Sequence, residues 1–350
     1  MITPLRIGLV GANPNRSWAM LSHLPAIAKL SDVELTAVAT SNINSAKAAA
    51  AAFGVEEYHA GAESLVQSPN VDIVSICVKV PHHAEIVRQA LTAGKHVLSE
   101  WPLALDVAEA EALRDEARQT GVHCTVGLQG RMSPAARRAS EMLAAGAIGR
   151  PLTVSVFSPT VGHGPSLPTG HAYLCSAANG ANMTTISTGH TLDLCTMIMG
   201  GLSEIQVMSA IKWPKVKLTD AEGYVERDTP EYLSVQGRFS SGAMLTAEMD
   251  GGREDNPPFH MKVIGTEGWL TLRGVSLYGW QTGEMTLESS VPFEAPDAPA
   301  AEGLTDATAN VGELYARFAA DIRNGEHETP DFIHAAQLHR LVRSVSAAAT

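Results

Sequence analysis

Several side chains in this 350-residue chain could move a proton or hold an anion. The stretch Ile186-Ser187-Thr188-Gly189-His190-Thr191-Leu192-Asp193 sets an imidazole and a carboxylate one helical turn apart. An imidazole with an ordinary pKa of about 6.5 suits acid–base work near neutrality. His190 is therefore the candidate acid–base, and Asp193 the candidate group that orients it. On the polar stretch before this helix, Tyr173 offers a hydroxyl and His171 a second imidazole. Gln129 and Arg131 follow an apolar strand and could bind substrate oxygens or a phosphate. Trp101 could stack on a sugar or a flat ring. A plainer reading stands beside each: a histidine at a helix start is often a cap, and an acid on a helix side is often solvated. The pair His82-His83 opens a helix and invites a metal reading. No acid or cysteine stands at ligand spacing from it, so no metal is expected.

The elements that must position these groups alternate in the first third of the chain. Arg6–Val10 is a short apolar run ending at Gly11. A polar turn through Asn13-Pro14-Asn15-Arg16-Ser17 follows, then apolar residues at helical spacing from Trp18 to Leu30, with Ser17 as a candidate cap. Strands are expected at Val33–Thr40, Val71–Val78, Lys95–Leu98 and Val122–Val126. Helices are expected at Asn44–Phe53, His83–Ala93 and Asp106–Thr120. Near-continuous apolar strands alternating with helices imply a parallel sheet covered on both faces. Ligands of such sheets bind beyond the carboxyl ends of the strands.

The first turn is therefore the candidate dinucleotide contact. Of the G-x-G-x-x-G pattern only Gly11 is in place, but Asn13 tolerates left-handed backbone and the helix start at Ser17-Trp18 can face an anion. An ordinary strand–helix turn is the alternative. An acid at the end of the second strand would select NAD. This chain has Thr40-Ser41-Asn42, and Arg16 could reach a phosphate, which tilts the reading to NADP over NAD. Val78, His83, Glu100, Trp101, Pro102 and Gln129 complete the expected cofactor-binding set; Trp101, Arg131, His171 and His190 form the expected substrate-binding set.

The pattern changes near residue 129. A helix is expected at Arg131–Ala145, a strand at Pro151–Phe157, a long loop at Ser158–Ala181 and a helix at Thr188–Met199. Strand-like runs follow at Glu204–Ala210, Tyr232–Phe239, Ala243–Met249, Phe259–Ile264 and Trp269–Leu272, with turn residues suited to antiparallel hairpins. Glu288–Leu304 reads as an extended crossing, and helices at Asp306–Asn324 and Asp331–Ala349 close the chain. Two domains are expected: an α/β dinucleotide-binding domain over 1–128, and an α+β domain over 129–350 with a mostly antiparallel sheet.

Composition narrows the function. The net charge of −12 argues against nucleic acid as a partner, because that needs a basic face. It argues equally against a basic membrane anchor, and no apolar run approaches a membrane span. The start, MITPLRIGLVGAN, lacks the order of a signal peptide. The four cysteines form no CxxC pair, so a cytoplasmic, reducing setting is expected.

Three motifs together carry a resemblance: Gly94-Lys95-His96-Val97-Leu98-Ser99-Glu100-Trp101-Pro102, Val80-Pro81-His82-His83-Ala84-Glu85 and Ile264-Gly265-Thr266-Glu267-Gly268. In order and spacing the chain resembles the glucose–fructose oxidoreductase / inositol dehydrogenase (Gfo/Idh/MocA) family over nearly its whole length. The resemblance implies a Rossmann domain over 1–128, a second domain over 129–350 with an open, mostly antiparallel sheet for substrate binding and oligomerisation, NAD or NADP as cofactor, a sugar, polyol or related hydroxyl/carbonyl substrate, and a homo-oligomer, dimer or tetramer. Two departures stand out. The family's Glu-Lys-Pro is Glu100-Trp101-Pro102, and an indole N–H is only a neutral donor. In the family's D-x-G-x-H, Ile186 replaces the Asp and Thr188 the Gly, while His190 and Asp193 match. One branch, which includes a yeast galactose-pathway repressor, shares these departures. It is similar at Arg16-Ser17-Trp18-Ala19, His23-Leu24-Pro25-Ala26-Ile27, Leu128-Gln129-Gly130-Arg131-Met132-Ser133-Pro134 and Thr188-Gly189-His190-Thr191-Leu192-Asp193. The resemblance thus implies three readings: an oxidoreductase with His190 as acid–base, a dinucleotide-sensing regulator without turnover, or a lyase or isomerase that recycles its dinucleotide.

Overall fold

The computed structural model describes residues 3–14, 17–275 and 279–348. Arg16, expected to meet a phosphate, lies outside the described residues. The chain divides into two compact units, 1–128 with 299–339, and 129–298 with 340–350.

Among the described residues the first unit holds six strands: β1 (Leu5–Val10), β2 (Val33–Thr40), β3 (Glu57–Ala60), β4 (Ile73–Ile76), β5 (His96–Glu100) and β6 (Cys124–Gly127). All pair in parallel in the order β3-β2-β1-β4-β5-β6. This is the Rossmann order, with its reversal of winding between β1 and β4. Every residue of β4 is buried, as two covered faces require. Strand β3 was not expected; its residues alternate between half-buried and exposed, so it lacks the apolar run of its neighbours.

After β1 the expected long helix is a π-helical turn, Ala19–His23, followed by one α turn, Leu24–Ile27. Pro25 has no N–H to return to the Leu21 carbonyl, and the Leu24 N–H reaches back to Ala19 O, closing the wider turn.

The largest departure lies near the other end. The segment 299–339 folds with the first unit, not with the second domain as expected. Its helix Ala309–Asn324 buries Val311, Leu314, Tyr315 and Phe318. Pro330 O then accepts the Val126 N–H at 2.8 Å and the Thr125 hydroxyl at 3.0 Å, closing the outer edge of β6. An amphipathic pattern shows that a helix is covered but not what covers it.

Among the described residues the second unit has ten strands: β7 (Pro151–Thr160), β8 (Ser166–Leu167), β9 (Leu202–Ala210), β10 (Lys215–Leu218), β11 (Tyr224–Glu226), β12 (Tyr232–Phe239), β13 (Met244–Gly251), β14 (Phe259–Gly265), β15 (Trp269–Gly274) and β16 (Met285–Ser289). Seven form a sheet in the order β16-β15-β14-β7-β13-β12-β9, antiparallel except for the β7–β13 pair. Helices Pro134–Ala144 and Gly189–Met199 share one core with Val154, Val235, Leu245, Ala247 and Val263 on one face. Opposite-facing residues such as Gln236, Arg238, Met244 and Thr246 are exposed, which leaves the other face open.

Three sequence boundaries move. The helix expected from Arg131 begins at Pro134, and Gln129–Met132 is a separate 3₁₀ turn, because a residue preceding proline disfavours helical backbone. The expected loop 158–181 contains β8 and the 3₁₀ turn Thr169–Cys175; β8 joins β10 and β11 in a small second sheet. Strand β16 occupies the start of the expected crossing. β8 and the 3₁₀ turn are too short for a period to show, and the alternation of β16 spans only five residues.

Candidate functional site

At the carboxyl end of β1, Gly11 has φ +96°, and a Cβ there would lie 2.4 Å from the Cys77 carbonyl oxygen. Only glycine lets this turn run so close to the chain leaving β4. The Gly11 N–H donates to Ala39 O at 2.9 Å, and the Asn13 N–H to Gly11 O at 2.8 Å. Ser17 caps the following turn: its hydroxyl accepts the Met20 N–H at 3.2 Å and donates to Asn13 O at 2.7 Å. Trp18 is half-buried, with its ring edge-on to His23. At the end of β2, Thr40 donates to Asn42 O at 3.0 Å and shares a 2.5 Å hydrogen bond with Ser45, while Ser41 is exposed.

His83 joins two strand ends. Its Nδ1 lies 2.9 Å from Pro102 O and its Nε2 2.9 Å from Val78 O. Two carbonyl acceptors favour the cation, but burial outweighs them and holds the pKa below the usual histidine value. The same imidazole thus fixes Val78 after β4 and the Glu100-Trp101-Pro102 turn after β5.

Glu100 ends β5, and Gly127 on β6 leaves it room; a Cβ there would come within 2.6 Å of Oε1. That oxygen lies 3.1 Å from Nε2 of the buried His23, whose Nδ1 lies 2.8 Å from the Tyr315 hydroxyl. Burial works against a charged His23, yet Cys77, Tyr315 and Glu100 around it raise its pKa well above the ordinary value. Trp101 is 5% exposed, joined to Pro102 by a cis peptide, and its ring lies 4.6 Å from that of His339. Burial pushes His339 down to about 4, and its Nε2 has no hydrogen-bond partner. Tyr315 and His339 carry no local signal in the sequence; each meets this edge only because segment 299–339 returns to it.

In the second unit, Gln129 is buried and its Oε1 has no hydrogen-bond partner. Arg131 donates to Asp193 Oδ1 at 2.9 Å, and Asp193 is 2% exposed. A donor expected to meet substrate oxygens is therefore bonded to a protein carboxylate. His190 is buried, the second residue of helix Gly189–Met199. The π-helical turn Thr184–Thr188 runs directly into this helix, with the Thr188 N–H bonded to Met183 O at 3.0 Å. His190 is therefore inside a continuous helical run and is not a cap, and π turns of this kind are frequent at functional sites.

Tyr173 and His171 share the turn Thr169–Cys175. His171 is exposed; Tyr173 is half-buried, which raises the pKa of its hydroxyl. The loop around this turn is anchored by groups the sequence reading missed. Arg227 donates to His163 O at 2.9 Å and Gly164 O at 3.0 Å, and lies 3.6 Å from Glu231. Glu231 in turn accepts backbone N–H groups of Lys212 and, at 2.9 Å, Trp213. Both charges are almost fully buried. Nearby His163 is pushed down to about 4 by burial and by the Arg227 cation. The only signal was an Arg and a Glu four residues apart in a non-helical stretch.

Comparison with known proteins matches both parts of the chain. Residues 5–128 match the oxidoreductase family with an NAD-binding Rossmann fold, and residues 134–274 match the Gal80p C-terminal domain. A dehydrogenase of Aspergillus oryzae, aclE, is 31% identical over 295 residues, covering 78% of each chain. The galactose/lactose metabolism regulatory protein GAL80 of Saccharomyces cerevisiae is 29% identical, covering 77% of this chain and 67% of that one. A crystal structure of a Gal80p super-repressor mutant from the same yeast superposes with a TM-score of 0.85 over 99% of this chain and 96% of the other, at 26% identity. Levoglucosan dehydrogenase in complex with NADH and L-sorbose shares the fold at a TM-score of 0.83 and 21% identity, covering 99% of this chain and 96% of that one. With the Rossmann strand order and the mixed second sheet, these likenesses lead to one conclusion: the chain belongs to the Gfo/Idh/MocA oxidoreductase family.

Proposed function

We propose that this protein is an NAD(P)-dependent oxidoreductase acting on a sugar, polyol or related hydroxyl/carbonyl compound, with His190 as acid–base. The observation that carries the proposal is the glycine-tight turn at Gly11 on the carboxyl edge of a Rossmann sheet. A dinucleotide fits the residues present: Gly11 keeps the turn tight against the chain leaving β4, Ser17 starts the next helical turn, and His83 fixes Val78 against the Glu100-Trp101-Pro102 edge. Thr40 and Ser41 place no carboxylate where a 2′-phosphate would sit, which supports NADP over NAD.

A bound nicotinamide ring supplies or accepts the hydride. His190 gives or takes the proton of the substrate oxygen in place of the family's usual lysine. Asp193, held by Arg131, fixes the helix face that carries it. Tyr173 and His171 approach the substrate hydroxyls from their own turn, and Trp101 walls the ring edge. The family's homo-oligomers support a dimer or tetramer, and no described helix is long and apolar enough to cross a membrane.

The test is nicotinamide absorbance with NADPH or NADP across a panel of sugars, polyols and carbonyl compounds. One compound should give a protein-dependent change. His190→Ala should then lower turnover by roughly 10²–10⁴ with dinucleotide affinity nearly unchanged. Undiminished turnover removes His190 from the mechanism.

A second reading, a dinucleotide-sensing regulator without turnover, is favoured by the Gal80p-like second half and by Trp101 in the lysine position. It requires a protein partner whose binding responds to dinucleotide. Tight dinucleotide binding without any absorbance change supports this reading, or a lyase or isomerase that recycles its dinucleotide; product formed without net cofactor change separates the two.

A further inference from the structure

One chain of polar groups runs inward from Glu100, at the proposed dinucleotide edge, to buried groups that have no part in the reaction proposed above. Glu100 Oε1 lies 3.1 Å from His23 Nε2, His23 Nδ1 lies 2.8 Å from the Tyr315 hydroxyl, and that hydroxyl lies 2.6 Å from Ser75 Oγ. His23, Tyr315 and Ser75 are each 0% exposed, whereas the Glu100 side chain keeps 16% of its surface open. The chain of groups begins at the carboxyl end of β5 and stops at a hydroxyl sealed inside the sheet. It is therefore open only at Glu100 and cannot relay a proton through the sheet. What it can do is hold Glu100.

It can do so in two hydrogen-bonding directions. With a proton on Nε2 alone, His23 donates to Glu100 and accepts from Tyr315, and Ser75 donates to Tyr315. With both nitrogens protonated, His23 donates to Glu100 and to Tyr315, and Tyr315 donates to Ser75. Every member is satisfied either way. Glu100 stays in place, and only the net charge at the strand end changes.

We propose that His23 is a positioning residue for the dinucleotide: it holds the Glu100 carboxylate at the end of β5 and cancels its charge, so that an anionic cofactor meets a neutral edge. This rests on the dinucleotide-binding reading given above. The groups facing His23 are Glu100 from β5, Cys77 from the segment after β4, and Tyr315 from helix Ala309–Asn324. Burial disfavours the imidazolium, but this surrounding keeps it well above its ordinary pKa. As pH rises through that value His23 becomes neutral, Glu100 stands uncompensated, and affinity for the anion falls.

The experiment is an NADH fluorescence titration from pH 6.5 to 9.5. For the unaltered chain Kd should rise about three- to tenfold across the range, the size of one added charge at partly screened distance. His23→Gln keeps a donor for Glu100 but no charge, so it should bind weakly at every pH with a flat profile. The double variant His23→Gln/Glu100→Gln, neutral at both positions, should recover affinity. Tyr315→Phe keeps the imidazole but removes an acceptor for its cation, and should move the midpoint to lower pH; it carries the test if the His23 variant does not fold. A flat profile in the unaltered chain, an unchanged slope in His23→Gln or an unmoved midpoint in Tyr315→Phe overturns the proposal. If NADH does not bind, the same titration is run with NADPH; absence of binding by both at every pH overturns the dinucleotide reading and this proposal with it.

Discussion

Arg227→Met should be among the most damaging single changes in the second unit. The side chain keeps similar bulk and loses its charge. Glu231, whose side chain is 1% exposed, would then keep only backbone N–H donors, and the carbonyls of His163 and Gly164 would lose theirs. Removing one partner of a buried pair typically costs about 3–5 kcal/mol. For a unit of this size each kcal/mol lowers Tm by about 2–4 °C, so the fall should be roughly 6–20 °C. Arg227→Met/Glu231→Gln separates charge from hydrogen bonding. Glutamine still accepts from Lys212 and Trp213, while the two loop carbonyls remain unserved, at about 1–3 kcal/mol each. The double variant should therefore recover part of the lost Tm, the part that belongs to the stranded charge. The sign with pH follows: an unpaired buried carboxylate has a folded-state pKa above its unfolded value, so the single variant's deficit is full at high pH and shrinks as pH falls through the folded pKa. Thermal melts at pH 8 and pH 5, with proteolysis within residues 158–181 as the local readout, give the answer. A double variant no better than the single would refute the reasoning, because the loss would then lie in the loop bonds and not in the stranded charge.

Gly11→Ala should weaken NADH binding at least tenfold in a fluorescence titration, since the new methyl group would lie 2.4 Å from the Cys77 carbonyl oxygen. Normal affinity would show that the turn can shift. Thr40→Asp should weaken NADP relative to NAD by roughly tenfold through like-charge repulsion; an unchanged Kd ratio would place Thr40 away from the ribose. The buried histidines should make the fold acid-sensitive. His163 and His339 both sit at about 4 when folded, against about 6.5 unfolded. A lowered histidine pKa gives stability that is present above 6.5 and lost as pH falls to 4, about 3 kcal/mol for each. Urea unfolding at pH 7 and 4.5 should show it, and His339→Gln should flatten the profile of the first unit; an unaltered slope would refute this.

Much of the fold was readable because parallel strands are long apolar runs. β1, β2, β4, β5 and β6 lie close to their expected positions, and the turn-bounded hairpins β12–β13 and β14–β15 formed as the glycines at 242, 265 and 268 suggested. The short strands β3, β8, β10, β11 and β16 were not, since none carries the continuous apolar run that marks the equally short β4. The candidate site divides in the same way. Gly11, Glu100 and His190 were singled out from local patterns. Tyr315, 292 residues from the His23 it touches, and the buried Arg227–Glu231 pair were not, because long-range partners leave no local period. The burial of Trp101 against His339 belongs to the same class.

The return of segment 299–339 sets an order of events during synthesis. Strand β6 emerges from the ribosome long before Pro330, the residue whose carbonyl closes its edge. At about 5–20 residues per second, that gap lasts roughly 10–40 s. Throughout it the nascent sheet carries an open strand edge, and His23 lacks the tyrosine it is built around. The first unit to be translated is thus among the last to be completed, and chaperone demand should peak while the second unit is already folding. A fragment cut after residue 128 would remain in that unfinished state permanently.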